Sequence, residues 1–377
     1  MFDDCLIMAG GSGTRLWPAS SSRLPKQFLP AGGGASFFSM ALERALELTG
    51  KGGRVIVIAG KSHIPRVIGS AAKLSAEEKK RLLVIGEPAA KNTAPAIACA
   101  VRLSLLSGDG GGGGRARCGG GNMLVLTSDH IIKPIKVFKA DAALAASGAG
   151  AGKLAVFGIP PARPETGYGY IETGGQEGGV YYVKAFHEKP DAATAEKYCA
   201  GGRFFWNSGM FAFNSGFMAE QFRLLCPQVF LPFEKLKKPG KKDFSLSRGV
   251  RILGAWRGLE TAYRKTACLS FDYAIAEKCE KTVMIRANFD WIDIGNWEEY
   301  AKIRSPGESL VFSAGGENCH VDSDIPVALA GVEGLIVVIR SGKNGENPAA
   351  LITRKGQTQR VKEIVEQIKK AERKDLL

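Results

Sequence analysis

The chain has 377 residues, enough to bury a large core and, at about 150 residues per domain, to form two or three units. Its 45% hydrophobic and 23% charged residues exclude a disordered or fibrous chain, and no apolar run reaches the roughly 18 residues that a membrane span needs. The net charge of +14 suits a phosphate-bearing partner, but the basic residues are spread along the chain in nothing longer than short clusters, as at 78–81, 237–238 and 241–242, so small phosphorylated ligands explain its sign as well as nucleic acid does.

The run Cys5-Leu6-Ile7-Met8-Ala9 predicts a first strand that opens into Gly10-Gly11-Ser12-Gly13-Thr14-Arg15-Leu16-Trp17-Pro18 and then Arg23-Leu24-Pro25-Lys26-Gln27-Phe28-Leu29. Glycines let backbone N–H groups close on an anion without Cβ obstruction. Arg15 and Lys26 add full positive charges that follow a ligand as it gains negative charge, so the stretch reads as a phosphate cradle. A dinucleotide fingerprint is excluded because Leu16 stands where the third glycine belongs, and a Walker loop because no Gly-Lys-Ser/Thr follows. Gly60-Lys61-Ser62 is no better, with Val55 in place of the required upstream glycine.

Apolar spacing over 36–48 predicts a helix capped by Ser36, followed by a strand at 54–59, a polar helix over 62–80 and a strand at 82–85. This alternation argues for an α/β fold with a mixed, mainly parallel sheet covered by helices on both faces. After that strand, Asn92 or Thr93 is placed to cap an apolar helix reaching Leu106, or to read a purine from a loop at the carboxyl end of a parallel strand. Residues 107–121 are glycine-rich and predict a flexible surface loop. The strand at 122–127 ends in Ser128-Asp129-His130, where Asp129 either caps the next segment or holds a divalent cation against phosphates.

A strand at 154–159 leads into Pro160-Pro161-Ala162-Arg163-Pro164-Glu165-Thr166-Gly167-Tyr168-Gly169-Tyr170, a pre-shaped loop in which tyrosine offers a face and a hydroxyl to a ligand. The strand at 180–186 ends at Glu188-Lys189, readable as a solvated pair or as acceptor and charge for a phosphorylated sugar. Asn207 is a polar group within the aromatic strand 204–213 and needs partners there. Residues 227–265 read as a basic loop-and-helix region, Ser270 as a helix cap, and 282–287 as a strand before Asp293, which alone reads as a capping residue. Short apolar runs from 310 to 353 suit a small β unit, and 359–374 an amphipathic helix with Val361, Ile364, Val365 and Ile368 on one face. Eight cysteines without Cys-x-x-Cys and four histidines without ligand spacing predict reduced thiols and no structural zinc.

The glycine loop with Pro-Lys-Gln-Phe-Leu closely resembles the signature of sugar-phosphate nucleotidylyltransferases, specifically the bacterial mannose-1-phosphate guanylyltransferases. Glu-Pro-x-x-x-Asn-Thr-Ala-Pro-Ala at 87–96 and the later motifs extend the resemblance over essentially the whole chain, with Ala162 departing from a more usual threonine. The resemblance implies a Rossmann-like nucleotide-diphospho-sugar transferase fold over 1–305 and a small β-helix-like domain with a terminal helix over 306–377. It implies transfer of GMP from GTP to mannose 1-phosphate, giving GDP-mannose and pyrophosphate, with Mg²⁺ as cofactor. Under it, Gly10, Gly11, Gly13 and Thr14 lie along the nucleotide, Glu87, Asn92 and Thr93 sit near guanine, and Arg15 and Lys26 are the catalytic cations. Asp129 and Asp293 hold the metal, while Tyr168, Gly169, Glu188, Lys189 and Asn207 hold the sugar phosphate. The expected setting is cytoplasmic, with no nucleic-acid or membrane partner and a homodimer left open. The same chemistry on another hexose phosphate or nucleotide, a silent sugar-nucleotide sensor and a nucleic-acid binder remain alternatives. Because the chain stops where bifunctional relatives continue into a phosphomannose isomerase domain, no isomerase activity is expected.

Overall fold

The structure is a computed structural model and describes residues 1–11, 13–107, 120–304, 310–342 and 347–377. Ser12, Cys118, most of the glycine-rich stretch expected as a loop, and the domain boundary expected at 305/306 lie outside the described residues. Two compact units separate: Met1–Gly10, Ala41–Ser128 and Ile132–Trp291 form one, and Gly11–Met40, Asp129–Ile131 and Ile292–Leu377 the other. The helix α1 (Phe37–Leu48) contributes residues to both.

The first unit is built on an 11-stranded sheet. Its strands are β1 (Phe2–Ala9), β2 (Thr49–Gly60), β3 (Leu82–Glu87), β4 (Asn122–Thr127), then, beyond the short β5 (His130–Lys133), β6 (Leu154–Ile159), β7 (Tyr170–Glu177), β8 (Val180–His187), β9 (Phe204–Asn214), β10 (Phe244–Ser247), β11 (Val250–Leu253) and β12 (Thr282–Arg286). The order is β10-β11-β3-β2-β1-β4-β9-β6-β12-β8-β7. From β11 to β4 the strands run parallel, as do β6 and β12, while β9 lies antiparallel between β4 and β6. Val55, Ile56, Val57 and Ile58 of β2 are all buried, the continuous apolar run of a strand covered on both faces.

The helices of this unit are α2 (Ile64–Ser70), α3 (Ala76–Arg81), α4 (Thr93–Ser107), α5 (Ile135–Gly150), α6 (Ala192–Ala200), α7 (Ser215–Leu225), α8 (Pro227–Glu234) and α9 (Leu259–Lys265). Strand alternation sends neighbouring side chains into opposite layers. Val156 of β6 joins the core cluster with α4 and α7, while the next residue, Phe157, meets Phe138 of α5 with ring centroids 5.6 Å apart.

Several elements differ from their expected forms. The polar helix expected over 62–80 is broken, because Ser75 leaves helical backbone to start α3 in a capping box with Glu78. The loop-and-helix region of 227–265 contains the β10–β11 hairpin, closed by Arg248 and Gly249 at φ 48° and 85°. Such a two-residue turn usually announces itself as Asn-Gly, and Ser-Arg-Gly-Val does not. The segment after Ser270 winds as a π-helix over Asp272–Ala276.

In the second unit, β14 (Val311–Ala314) pairs in parallel with β16 (Val327–Ala330), and β15 (His320–Ser323) with β17 (Leu335–Arg340), following β13 (Asp290–Asp293). Val311 meets Val327 and His320 meets Ile336, the same 16-residue offset in both ladders, so the chain completes one coil and stacks the next on it. Strand β18 (Ala349–Arg354) closes the stack antiparallel to β17. A core of Leu16, Trp17, Trp297, Tyr300, Ile336, Val338, Val361 and Val365 joins the glycine-loop segment to α10 (Trp297–Ile303), the β stack and α11 (Val361–Lys370). On α11, Val361, Val365 and Ile368 face that core as expected, whereas Ile364 at the stripe's edge is 36% exposed.

Candidate active site

The strand order of the first unit reverses at β1, flanked by β2 and β4, and open α/β sheets bind ligands outside the carboxyl ends of strands at such a point. Strand β1 runs out at Gly10, and β4 leads through Ser128 to Asp129, so both exits carry predicted site residues.

Six of those residues meet within the second unit. Gly13 is left-handed at φ 60° and precedes a 3-10 turn over Thr14–Leu16. A Cβ on Gly13 would overlap the Cβ of Lys26, so glycine is demanded there by both backbone and space. Lys26 follows Pro25 at the start of a second 3-10 turn, with its side chain only 8% exposed. Its ammonium donates to Asp129 Oδ2 at 2.8 Å and to Asp293 Oδ1 at 3.0 Å. Asp129 stands just before β5 and Asp293 closes β13, two strands that pair with each other. His130 Nε2 lies 3.9 Å from Asp129 and 3.8 Å from Asp293, supporting both. Thr14 and Arg15 line the same cleft of about 250 Å³; Arg15 is exposed and donates to Gly295 O at 3.4 Å.

The electrostatics follow from this clamp. Burial alone would lower the Lys26 pKa, but Asp129 and Asp293 outweigh it and hold the ammonium charged. Burial alone would raise the Asp129 pKa, but the Lys26 ammonium, with His130, holds the carboxyl down at about 2. Two hard carboxylate donors thus converge on one positive charge, the donor type a divalent cation such as magnesium takes. Among the described residues no group of three or more His, Cys, Asp or Glu is arranged around a metal. This still fits magnesium, which commonly takes one or two carboxylates and completes its shell with water and phosphate oxygens.

The other predicted residues lie in the first unit, apart from Gly11 at φ 92°. Glu87 at the end of β3 approaches Gly10, whose added Cβ would sit 3.8 Å from Glu87 Oε2. Burial pushes the Glu87 carboxyl up to about 7, with the Tyr263 hydroxyl acting against it. Asn92 is exposed at φ 67° and accepts from Thr93 N at 2.9 Å. Thr93 Oγ1 accepts from Phe271 N at 2.8 Å, so that hydroxyl ties the start of α4 to the segment before the π-helix.

Glu87→Gln carries a pH-dependent expectation. The folded-state pKa of about 7 exceeds the ordinary 4.5, so the folded state prefers the neutral acid, and stability falls as pH rises from about 4.5 through 7. The amide mimics that neutral form. Melting curves at pH 8 should place the variant above the parent by about 1–3 kcal/mol, and the two should converge as pH falls below the ordinary 4.5. Equal melting at pH 8 would contradict the burial argument.

The predicted sugar residues form a second group. The Tyr168 ring stands edge-on to Trp206 at 5.3 Å and to Trp291 at 5.4 Å. Gly169 O accepts from Asn207 N at 2.8 Å, and a Cβ on Gly169 would come within 2.8 Å of Glu188 Oε2. Asn207 Nδ2 donates to Asp272 Oδ1 at 2.6 Å, which answers the partner demand of a polar group among aromatics. Burial pushes the Asp272 carboxyl up while that donor restrains it. Glu188 and Lys189 pair at 2.6 Å with both side chains substantially exposed. The Ser-x-Asp-Tyr element at 270–273, which contains Asp272, resembles one that lines the sugar side in the family, whereas sequence reasoning assigns no role to Trp291 or Tyr263.

The sequence model of the nucleotidyl transferase family matches residues 4–306. The xanthan biosynthesis protein XanB of Xanthomonas campestris pv. campestris (strain B100) is 34% identical over 376 residues, covering 98% of this chain and 74% of that protein. A mannose-1-phosphate guanylyltransferase of Escherichia coli (strain K12) is 33% identical, covering 97% of this chain and 73% of the relative. The crystal structure of a Thermus thermophilus protein described as a mannose-1-phosphate geranyltransferase superposes with a TM-score of 0.77 at 29% identity, over 97% of this chain and 99% of that one. With a family match spanning most of its length and relatives above 30% identity over nearly all of it, the chain belongs to the nucleotidyl transferase family.

Proposed function

We propose that the chain transfers GMP from GTP to α-D-mannose 1-phosphate, releasing pyrophosphate and forming GDP-mannose. The names of its relatives supply the substrates, and the convergence of Lys26, Asp129 and Asp293 in one cleft carries the chemistry. A phosphate oxygen of mannose 1-phosphate attacks the α-phosphorus of GTP while the bond from that phosphorus to the bridging oxygen of pyrophosphate breaks. The nucleophile is already anionic at neutral pH, so the reaction needs positioning and charge neutralisation rather than a general base.

Members of the family generally use a divalent metal, and we take Mg²⁺ as the ion that Asp129 and Asp293 would hold. When bound, it supplies positive charge to the phosphate oxygens. Gly10, Gly11, Gly13 and Thr14 offer backbone to the nucleotide, Arg15 and Lys26 neutralise its phosphates, and Glu87, Asn92 and Thr93 serve the base. Tyr168, Gly169, Glu188, Lys189 and Asn207 hold the sugar phosphate. The family match over 4–306 supports a catalytic domain of 1–305 with 306–377 as an appended β module. A cytoplasmic setting and a homodimer belong to the same proposal, the latter decided by sedimentation.

Incubation with GTP labelled at the α-phosphorus tests the transfer: the label should appear in GDP-mannose, and label confined to GDP or GMP would overturn it. Asn207→Ala tests the sugar group. It removes the donor to the Asp272 carboxylate, at an expected cost of about 1–3 kcal/mol in stability. The KM for mannose 1-phosphate should rise about tenfold with that for GTP unchanged, as removal of a ground-state sugar contact implies. Equal rises in both would contradict the assignment.

A further inference from the structure

Between positions 235 and 265 stand ten of the chain's 51 lysines and arginines, against only Asp243 and Glu260. All ten are exposed, and none forms an ion pair with any described residue. An isolated run of solvated lysines would mean little, but here the backbone gathers the cations. Trp256 Nε1 donates to Lys237 O at 2.8 Å, drawing the loop after α8 to the segment after β11. Gly254 N and Ala255 N both donate to Asp243 O, at 3.2 and 3.3 Å, closing the base of the β10–β11 hairpin beside Lys241 and Lys242. Across that hairpin Arg251 is opposite Leu246, and β10 is the margin of the sheet. These contacts set Lys237, Lys238, Lys241, Lys242, Arg248 and Arg251 on or beside the hairpin at the sheet margin of the first unit.

An apolar residue stands within it. Leu246 is 71% exposed on the marginal strand, flanked by the hairpin's arginines. A strand margin defended only against pairing with other chains would carry its lysines on the strand, and β10 reads Phe-Ser-Leu-Ser. Single-stranded nucleic acid would call for exposed aromatic rings to stack on bases, yet Trp256 and Tyr263 are buried and Phe244 is half-buried beneath Arg251. Cations around an exposed leucine match the bilayer interface, where lysines and arginines are drawn to an anionic surface and an apolar side chain enters the headgroup boundary.

We propose that this edge docks the protein reversibly on an anionic lipid bilayer, its lysines and arginines on the headgroup phosphates and Leu246 in the interfacial layer. No spanning helix is needed for such a contact; the proposal therefore departs from the expectation of no membrane partner, while among the described residues no helix is long and apolar enough to cross a membrane.

Cosedimentation of the full chain with vesicles of phosphatidylglycerol and phosphatidylcholine, against phosphatidylcholine alone, tests the proposal. Binding should require the anionic lipid and weaken at least tenfold between about 50 and 250 mM NaCl, as screening shortens the reach of the cations. Replacing Lys237, Lys238, Lys241 and Lys242 together by glutamine should weaken binding by at least about tenfold, and Leu246→Ser severalfold, with nucleotidyl transfer in solution unchanged. That unchanged turnover certifies the fold of both variants. No binding at about 50 mM salt, binding indifferent to the substitutions, tighter binding to duplex DNA than to the vesicles, or aggregation of the variants with vesicle affinity intact would each overturn it.

Discussion

Lys26→Met is expected to lower kcat/KM for nucleotidyl transfer by about a thousandfold, or about 4 kcal/mol of transition-state stabilisation, since a buried full charge aimed at the phosphates is lost. Stability should also fall. Lys26 keeps two carboxylates together at 2.8 and 3.0 Å, and without it they face each other across the cleft. With Asp129 33% and Asp293 24% exposed, water tempers the cost to about 1–3 kcal/mol. The pH dependence has a definite sign. Held at about 2, Asp129 contributes stability present above its ordinary 3.8 and lost as pH falls through 2. Lys26, held above its ordinary 10.5, contributes stability present below that value and lost as pH rises through the elevated one. Melting curves of parent and variant should therefore differ most from about pH 4 to 10 and converge in strong acid. Lys26→Arg should not restore turnover, because a planar fork cannot replace a point charge between two carboxylates. A variant with near-parental kcat/KM would remove Lys26 from the mechanism.

Gly13→Ala is expected to cost about 2–4 kcal/mol in stability and at least about a hundredfold in kcat/KM. The loss has two sources. At φ 60° an alanine pays the left-handed penalty, and its Cβ would run into Lys26, with the backbone N at 3.0 Å and Cα at 3.2 Å. Lys26 must then move away from Asp129 and Asp293. Gly11→Ala isolates the first source, since Gly11 is at φ 92° but a Cβ there would meet nothing within 4 Å. That variant should lose about 1–2 kcal/mol and keep the Lys26 clamp. Thermal unfolding together with steady-state kinetics on both variants checks the pair. Equal effects at the two positions would contradict the close approach of Gly13 to Lys26.

Much of this arrangement was legible in the sequence wherever local signals carried it. Continuous apolar runs placed β4 at 122–127 and β6 at 154–159, and the glycines with Arg15 and Lys26 marked the cradle. What stayed hidden is non-local. Nothing in periodicity says that the segment after β1, the three residues from Asp129 and the C-terminal β stack make one compact unit, or that Trp17 Nε1 donates to Leu376 O at 2.7 Å. The direct Lys26–Asp129 and Lys26–Asp293 contacts, spanning 103 and 267 positions, were likewise invisible; the resemblance supplied the residues but not their pairing. The β10–β11 hairpin was missed because Arg248 occupies a left-handed turn position that sequence rules reserve for glycine, asparagine or aspartate. Thr93 shows a different gap. Its hydroxyl is spent on Phe271 N, a partner 178 positions away that no capping rule names.

The central claim, that the Lys26–Asp129–Asp293 cleft serves guanylyl transfer to a sugar phosphate, is tested most directly by Mg²⁺-dependent pyrophosphate release across a matrix of nucleoside triphosphates and hexose 1-phosphates. Release confined to GTP with mannose 1-phosphate, and lost in Asp129→Ala, is the predicted result. Release with a different pair would keep the phosphoryl chemistry and overturn the substrates. No release with any pair, from protein shown by its melting curve to be folded, would contradict the account and leave a protein that binds sugar nucleotides without turning them over.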